Sequence, residues 1–175
     1  MRQMQYQGKV WVILDESGKA IHNIDTDMIF HNSHLHITAI EDMGQHSFGN
    51  LDAWRDFPKK CQQGDIVLCG ENFGAGSSRQ QAVDCFRSLG VSVIIAESFG
   101  AIYKRNAINS GMPIMEAPGI FSAEFKLSTG DTLALDLEKG LIKQGENEFQ
   151  AKPMSEIQKN IYLAGDLFAY GKSLV

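Results

Sequence analysis

Hydrophobic residues along the chain fall into short runs separated by glycines, and the runs change period from one part to the next. KVWVIL (Lys9 to Leu14) predicts a first strand, closed by a turn at Glu16-Ser17-Gly18. Ile24 to Phe30 is a short apolar and acidic segment built on Asp25-Thr26-Asp27. His31 to Lys60 is polar, with a weak helical pattern around Asn50 to Phe57. It reads as a mobile loop carrying one or two short helices. DIVLC (Asp65 to Cys69) is a strand, Ser78 to Leu89 a helix ending near Gly90, and VSVIIA (Val91 to Ala96) a continuous apolar run of the kind a buried parallel strand shows. Phe99 to Asn109 predicts a second helix stopped by Gly111, and Pro113 to Met115 a short strand.

This β-α-β-α-β order predicts a parallel, three-layer α/β core. Beyond it the pattern turns to strands at Thr132 to Leu137, Leu141 to Lys143 and Glu148 to Gln150, divided by turns at Gly140 and Gly145, and then to a helix from Pro153 to Ala164. An α/β core with an added β portion is therefore expected. No linker or repeat divides the chain, so residues 1–175 are read as one domain.

Composition narrows the function classes. With 175 residues, 43% hydrophobic and 21% charged, the chain is long and apolar enough for a sizeable core. A formal net charge of -5 without a basic face argues against a nucleic-acid partner. No apolar run approaches the ~20 residues that span a bilayer, and the N-terminus lacks a signal-peptide pattern, so no membrane partner and a cytoplasmic setting are expected. Cys61, Cys69 and Cys85 are odd in number and form no C-x-x-C pair. Packing as small hydrophobes is the expected role of those in apolar surroundings.

One motif carries chemistry. Gly70 to Gln81 (GENFGAGSSRQQ) follows a strand and opens a helix. Gly74 and Gly76 permit positive φ and close approach to the backbone. Ser78 has the chemistry of an N-cap, with Gln81 completing a capping box, which places Ser77 just ahead of the helix and Arg79 in its first turn. Free N–H groups, the helix dipole and a guanidinium would then converge on an anion with a serine hydroxyl beside it. The pattern is neither a P-loop nor a full dinucleotide fingerprint nor a nucleophile elbow. On local pattern alone, a structural glycine turn and an anion site remain level.

Several ordered segments together resemble a known family. Asn72-Phe73-Gly74-x-Gly76-Ser77-Ser78-Arg79 resembles the signature of the small subunits of 3-isopropylmalate dehydratase and homoaconitase, which match the swivelling fourth domain of aconitase. Ile24-Asp25-Thr26-Asp27-Met28-Ile29 resembles the family's early acidic element. Phe57-Pro58-Lys59-Lys60 with Gly64-Asp65-Ile66-Val67 resembles its approach to the core strand. Ile95-Ala96-Glu97-Ser98-Phe99 and Ile102 to Gly111 resemble its next strand and helix. The resemblance runs from about Gly8 to Gly111 and loosely beyond.

It implies a β/β/α swivelling three-layer domain of the aconitase C-terminal type. It also implies reversible dehydration and rehydration of a hydroxy polycarboxylic acid, active only with a large subunit whose cysteines hold a [4Fe-4S] cluster. No cofactor is expected on this chain, which lacks a cluster-binding cysteine spacing. The resemblance makes Ser77 the base, places Asp27 in the acid/base network, and gives Arg79 to a substrate carboxylate. Gly76, Ser78 and His36 fall with Arg79 in the expected substrate site. His36 stands near the place some members fill with arginine, Ala75 replaces a frequent cysteine, and Gln80-Gln81 replaces Glu-His or Glu-Gln. Isopropylmalate, homoaconitate, citramalate and dimethylmalate types all remain open as substrates.

Other readings stand beside these. His34-x-His36, with Asp25 and Asp27, is weighed as a metal site against a polar substrate loop, and the loop is preferred because zinc needs at least three well-placed ligands. Asp25 and Asp27 are also ordinary cap residues. Arg105 is as much a solvent-facing helix residue as a carboxylate contact. Trp11 and Trp54 are expected in packing. The rival function is a stand-alone module that grips a carboxylate or phosphate for regulation.

Overall fold

The strand that matters most serves two ladders at once. In a computed structural model describing residues 2–122 and 124–174, strand β1 (Gln5–Val12) pairs parallel through Val10, Trp11 and Val12 with Ile66, Val67 and Leu68 of β2 (Ile66–Cys69). Its first half, Gln5 to Lys9, pairs antiparallel with Thr132 to Asp136, which form β5 (Thr132–Asp136). Strands β3 (Val93–Ala96) and β4 (Ile114–Glu116) extend the parallel side; β6 (Leu141–Gln144) and β7 (Asn147–Gln150) extend the antiparallel side. The sheet order is β4-β3-β2-β1-β5-β6-β7.

Both expected parts of the sheet are present. β1 begins earlier than its apolar run because Gln5, Gln7 and Lys9 alternate outward while still pairing with β5.

The central strands are buried on both faces, which is why IVLC and VIIA read as unbroken apolar runs. Alternate residues feed two cores. Val67, Cys69, Ile94 and Ala96 meet Phe73, Val83, Phe86 and Tyr103 on the helical side. Ile66, Leu68, Val93 and Ile95 meet Leu133, Leu135 and Ile142 of the antiparallel strands on the other. This is the β/β/α three-layer arrangement.

The helices are α1 (Thr26–Ile29), α2 (Phe57–Lys60), α3 (Gln81–Ser88), α4 (Ala101–Asn109), α5 (Glu156–Ala164) and α6 (Leu167–Ser173). α3, α4 and α5 start later than the sequence pattern, α4 at Ala101 rather than Phe99, and one helix is new. α3 starts at Gln81 rather than Ser78, and its cap residue Gln80 makes no side-chain capping bond, its amide donating instead to Asp84, so the Ser78–Gln81 capping box does not form. The Ser78 carbonyl instead accepts from Asn106 Nδ2 at 3.0 Å, and Arg79 turns back toward α1. Pro153 lies in an extended stretch held by Lys152 N–H to Glu116 O and Met154 N–H to Leu137 O, so α5 waits for its Ser155 cap. α6 was not foreseen: Gly165, with φ 119°, breaks the chain's course and Asp166 caps a new helix by accepting from Ala169 N–H.

His31 to Lys60 also departs from the expected loop. It is built from 3-10 turns and α2, and it is anchored by buried Met43, Phe48 and Phe57. Phe48 lies 5.2 Å from both the Phe57 and Phe86 ring centroids, edge to face. Ser88 Oγ, at the end of α3, takes the Gly44 N–H and donates to Glu41 O. The tryptophans pack as expected: Trp11 meets Trp54 edge to face at 6.4 Å, and their indole N–H groups donate to Asp65 and Leu14 O. Among the described residues no helix is long and apolar enough to cross a membrane.

Candidate active site

The glycine turn between β2 and α3 leaves the sheet at the carboxyl end of the parallel strands, where open α/β sheets place ligands. It is lashed to the segment that opens α1. Gly74 N–H donates to Ile24 O at 2.7 Å, and Thr26 N–H donates to Ala75 O at 2.8 Å. Asp25 closes this joint by capping α1, accepting from Met28 N–H at 2.8 Å. Gly74 sits at φ 77° directly against the buried Tyr103 ring, where no Cβ fits. Gly76, at φ 95°, then turns the chain so that Ser77 lies over Thr26.

Residues far apart in sequence meet here. Arg79 Nε donates to Ser77 Oγ at 2.9 Å. Arg79 Nη1 donates to Asp27 Oδ1 at 3.0 Å and to Phe30 O at 2.8 Å. Ser77 Oγ is 3.1 Å from Thr26 Oγ1, which also accepts the Ser77 N–H at 3.1 Å. Asp27 further accepts from Asn32 N–H at 3.0 Å and from Asn50 Nδ2 at 3.2 Å, with His31 Nε2 at 4.0 Å. Burial pushes the Asp27 carboxyl up, but the Arg79 and Asn32 hydrogen bonds and the nearby His31 and Arg79 charges outweigh it and leave the group below the usual aspartate value. Asp27 is thus an ionised anchor for Arg79 near neutrality.

Of the sequence-predicted residues, Ser77, Arg79 and Asp27 converge, and Gly76 shapes the turn between them. Because α3 begins only at Gln81, Ser77 and Arg79 stand ahead of the helix, and the cation nearest Ser77 is the guanidinium rather than the helix end. Ser78 is exposed beside Ser77. His36 is exposed and its Nδ1 pairs with Ser33 O at 3.0 Å, apart from the Ser77–Arg79–Asp27 network. Arg105 is exposed on α4. Thr26, Asn50 and the Phe30 carbonyl were missed, since nothing local marks a partner 51 residues away in Ser77.

The four residues weighed as metal ligands go separate ways. Asp25 caps α1, Asp27 holds Arg79, and the His34 ring stacks on His46 at 3.9 Å with Phe30 edge-on to both. Burial, then the His46, His31 and His36 charges, lowers the His34 pKa.

An iron–sulfur cluster needs several cysteines together, and among the described residues no three His, Cys, Asp or Glu side chains are grouped to hold a metal ion. Burial pushes the Cys69 thiol pKa up; burial, chiefly, pushes Cys85 up to about 12; burial and then Asp65 push Cys61 up to about 12. Cys69 and Cys85 pack in the helical-side core.

The chain is similar to known proteins over most of its length. The chain is 38% identical over 172 residues to the 3-isopropylmalate dehydratase small subunit of Aquifex aeolicus, covering 97% of this chain and 96% of that one. It is 40% identical over 169 residues to the isopropylmalate/citramalate isomerase small subunit of Methanocaldococcus jannaschii, covering 95% and 93%. A crystal structure of 3-isopropylmalate dehydratase from Methanocaldococcus jannaschii superposes with a TM-score of 0.84 at 31% identity, covering 98% of this chain and 95% of that one. Residues 3–118, which hold the parallel strands, the glycine turn and the Asp27–Arg79 pair, match the aconitase C-terminal domain, and the chain belongs to that family.

Proposed function

We propose that this chain is the small subunit of an isopropylmalate dehydratase-type hydro-lyase, acting in the cytoplasm as one swivel domain beside a large subunit that carries a [4Fe-4S] cluster. The observation that carries the reading is the 2.9 Å bond from Arg79 Nε to the exposed Ser77 Oγ. Relatives named as small subunits at about 40% identity over most of the chain support it, and leave the stand-alone anion module without favour.

Dehydration of a hydroxy acid breaks a C–H bond next to a carboxylate. The proton passes to a base, the electron pair becomes a C=C bond, and the hydroxyl departs from the adjacent carbon. A serine serves as that base only where its alkoxide is stabilised by donors and positive charge. Arg79 supplies both. Its Nε and Nη1 are committed to Ser77, Asp27 and Phe30, so its Nη2 edge is the part offered to a substrate carboxylate. Asp27 holds the guanidinium in place and stays ionised. Gly76, Ser78 and His36 line the approach. Release of the hydroxyl falls to the large subunit and its cluster. The relatives' names make isopropylmalate and citramalate the substrates to try.

Reconstitution tests this directly. The isolated chain is expected to be inactive, and to become active when mixed with a cluster-loaded large subunit and isopropylmalate or citramalate. Ser77→Ala is expected to abolish turnover while leaving the unfolding midpoint and assembly unchanged. Turnover near the wild-type rate in that variant removes Ser77 as the base.

A further inference from the structure

We infer that Thr26 is a positioning residue for Ser77: its buried hydroxyl is the second donor to the serine oxygen, and it turns the serine's own proton toward the open face. This rests on the reading of Ser77 as the base.

The argument is a count of protons. Thr26 is 2% exposed, whereas Ser77 lies at the surface. Thr26 Oγ1 accepts the Ser77 N–H and sits 3.1 Å from Ser77 Oγ. Arg79 Nε has only a hydrogen to give, so it donates to Ser77 Oγ. Two hydroxyl protons remain to be placed. If Ser77 donates to Thr26, the Thr26 proton is left in a buried position with no other acceptor among the described residues, which carries a desolvation penalty. If Thr26 donates to Ser77, every buried group is satisfied and the Ser77 proton faces outward.

The second arrangement suits a base. Ser77 Oγ then accepts from both Thr26 and Arg79. When its own proton leaves to solvent, the alkoxide keeps two donors behind it and one lone pair aimed at the open side. The substrate's C–H proton goes to that lone pair, and the C–H electrons become the C=C bond as the hydroxyl leaves the adjacent carbon with its own bonding pair.

Thr26 is well placed to hold this geometry. A β-branched side chain has few rotamers. Its backbone is fixed on both sides, by its N–H on Ala75 O and by the Phe30 N–H on its own carbonyl. A Cβ at Gly76 would stand 3.5 Å from Thr26 Oγ1, an ordinary contact, so the turn lies against the hydroxyl.

The test compares Thr26→Val, Thr26→Ala and Thr26→Ser in the reconstituted two-subunit enzyme, with Ser77→Ala alongside and isopropylmalate as the substrate. Thr26→Val and Thr26→Ala are expected to lose about a hundredfold in kcat, the loss typical of one oxyanion donor, with KM held. The rising limb of their pH profiles is expected to move to higher pH, because an alkoxide with one donor fewer forms less readily. Thr26→Ser keeps the hydroxyl and is expected to restore most of the rate. Ala and Ser differ by a single oxygen and add no bulk, so that pair decides the matter even if the Val variant misfolds. Equal rates in Thr26→Ala and Thr26→Ser overturn the inference, as does a wild-type rate in Thr26→Val while Ser77→Ala is dead; either result leaves the serine base standing. An active Ser77→Ala instead defeats the base assignment itself.

Discussion

Arg79 and Asp27 form a 3.0 Å ion pair across 52 residues of sequence, with the arginine side chain only 14% exposed. The pair joins the glycine turn to the first helix. It also sets the direction of the guanidinium, because Nη1 is shared with the Phe30 carbonyl and Nε with Ser77. A charge alone cannot reproduce this; a planar fork with several fixed donors is required.

Arg79→Lys is therefore expected to behave as a severe change. A lysine ammonium can reach Asp27 or Ser77 but cannot bridge Ser77, Asp27 and Phe30 while still presenting an edge to substrate. We expect kcat/KM of the reconstituted enzyme to fall about a hundredfold, with both kcat and KM affected. A lysine variant within a fewfold of wild type would show that positive charge is enough.

Asp27 gives the site a pH signature. Its folded-state pKa is depressed, so its contribution to stability is fully present above the ordinary aspartate value of 3.8 and is lost as pH falls through the lower folded value. Asp27→Asn should accordingly lower the unfolding midpoint at pH 7 and make progressively less difference in the acid range below 3.8. The effect is small, since the carboxylate is more than a third exposed and solvent screens it. Thermal unfolding of both proteins across that range checks the sign. An equal deficit at pH 7 and at the acid end contradicts it.

The sheet was legible because parallel strands buried on both faces leave a plain mark: IVLC and VIIA are unbroken apolar runs. The glycine turn was legible because only glycine accepts the φ values of Gly74 and Gly76. What escaped was set by tertiary contact. Ser78 and Gln81 have the right chemistry for a capping box, yet the pull of Asp27 on Arg79 and of Asn106 on the Ser78 carbonyl delays the helix to Gln81. The polar first half of β1 hides because its partner, β5, lies more than a hundred residues downstream. Thr26 hides for the same reason: a threonine between two aspartates reads as a turn residue until Ser77 is folded onto it.

Gly74 and Gly76 should separate sharply in stability despite similar backbone angles. A Cβ at Gly74 would overlap the Tyr103 ring, which is buried and cannot retreat, whereas one at Gly76 meets only ordinary contact with Thr26 and Asp25. Both pay for a positive φ. Gly74→Ala is expected to cost about 2–4 kcal/mol from strain and overpacking together, and Gly76→Ala about 1 kcal/mol from strain alone. Urea unfolding of the two variants measures the difference, and equal values would place the Tyr103 contact elsewhere.

His36 lies outside the Ser77–Arg79–Asp27 network. The loop that carries it is tied to α3 through Gln81 Nε2, which donates to Leu35 O at 3.3 Å, and His36 itself is exposed with its Nδ1 on Ser33 O. On the proposed reading His36 touches substrate without touching the proton that moves. His36→Ala is therefore expected to raise KM and leave kcat close to wild type, the pattern of lost uniform binding. The change in KM should differ between isopropylmalate and citramalate, because their alkyl groups differ while the carboxylate held by Arg79 is common to both. Steady-state kinetics on the two acids, with the reconstituted enzyme, reads this out. A fall in kcat as deep as that of Ser77→Ala would instead bring His36 into the proton-transfer machinery, and an unchanged KM for both acids would remove it from the substrate site.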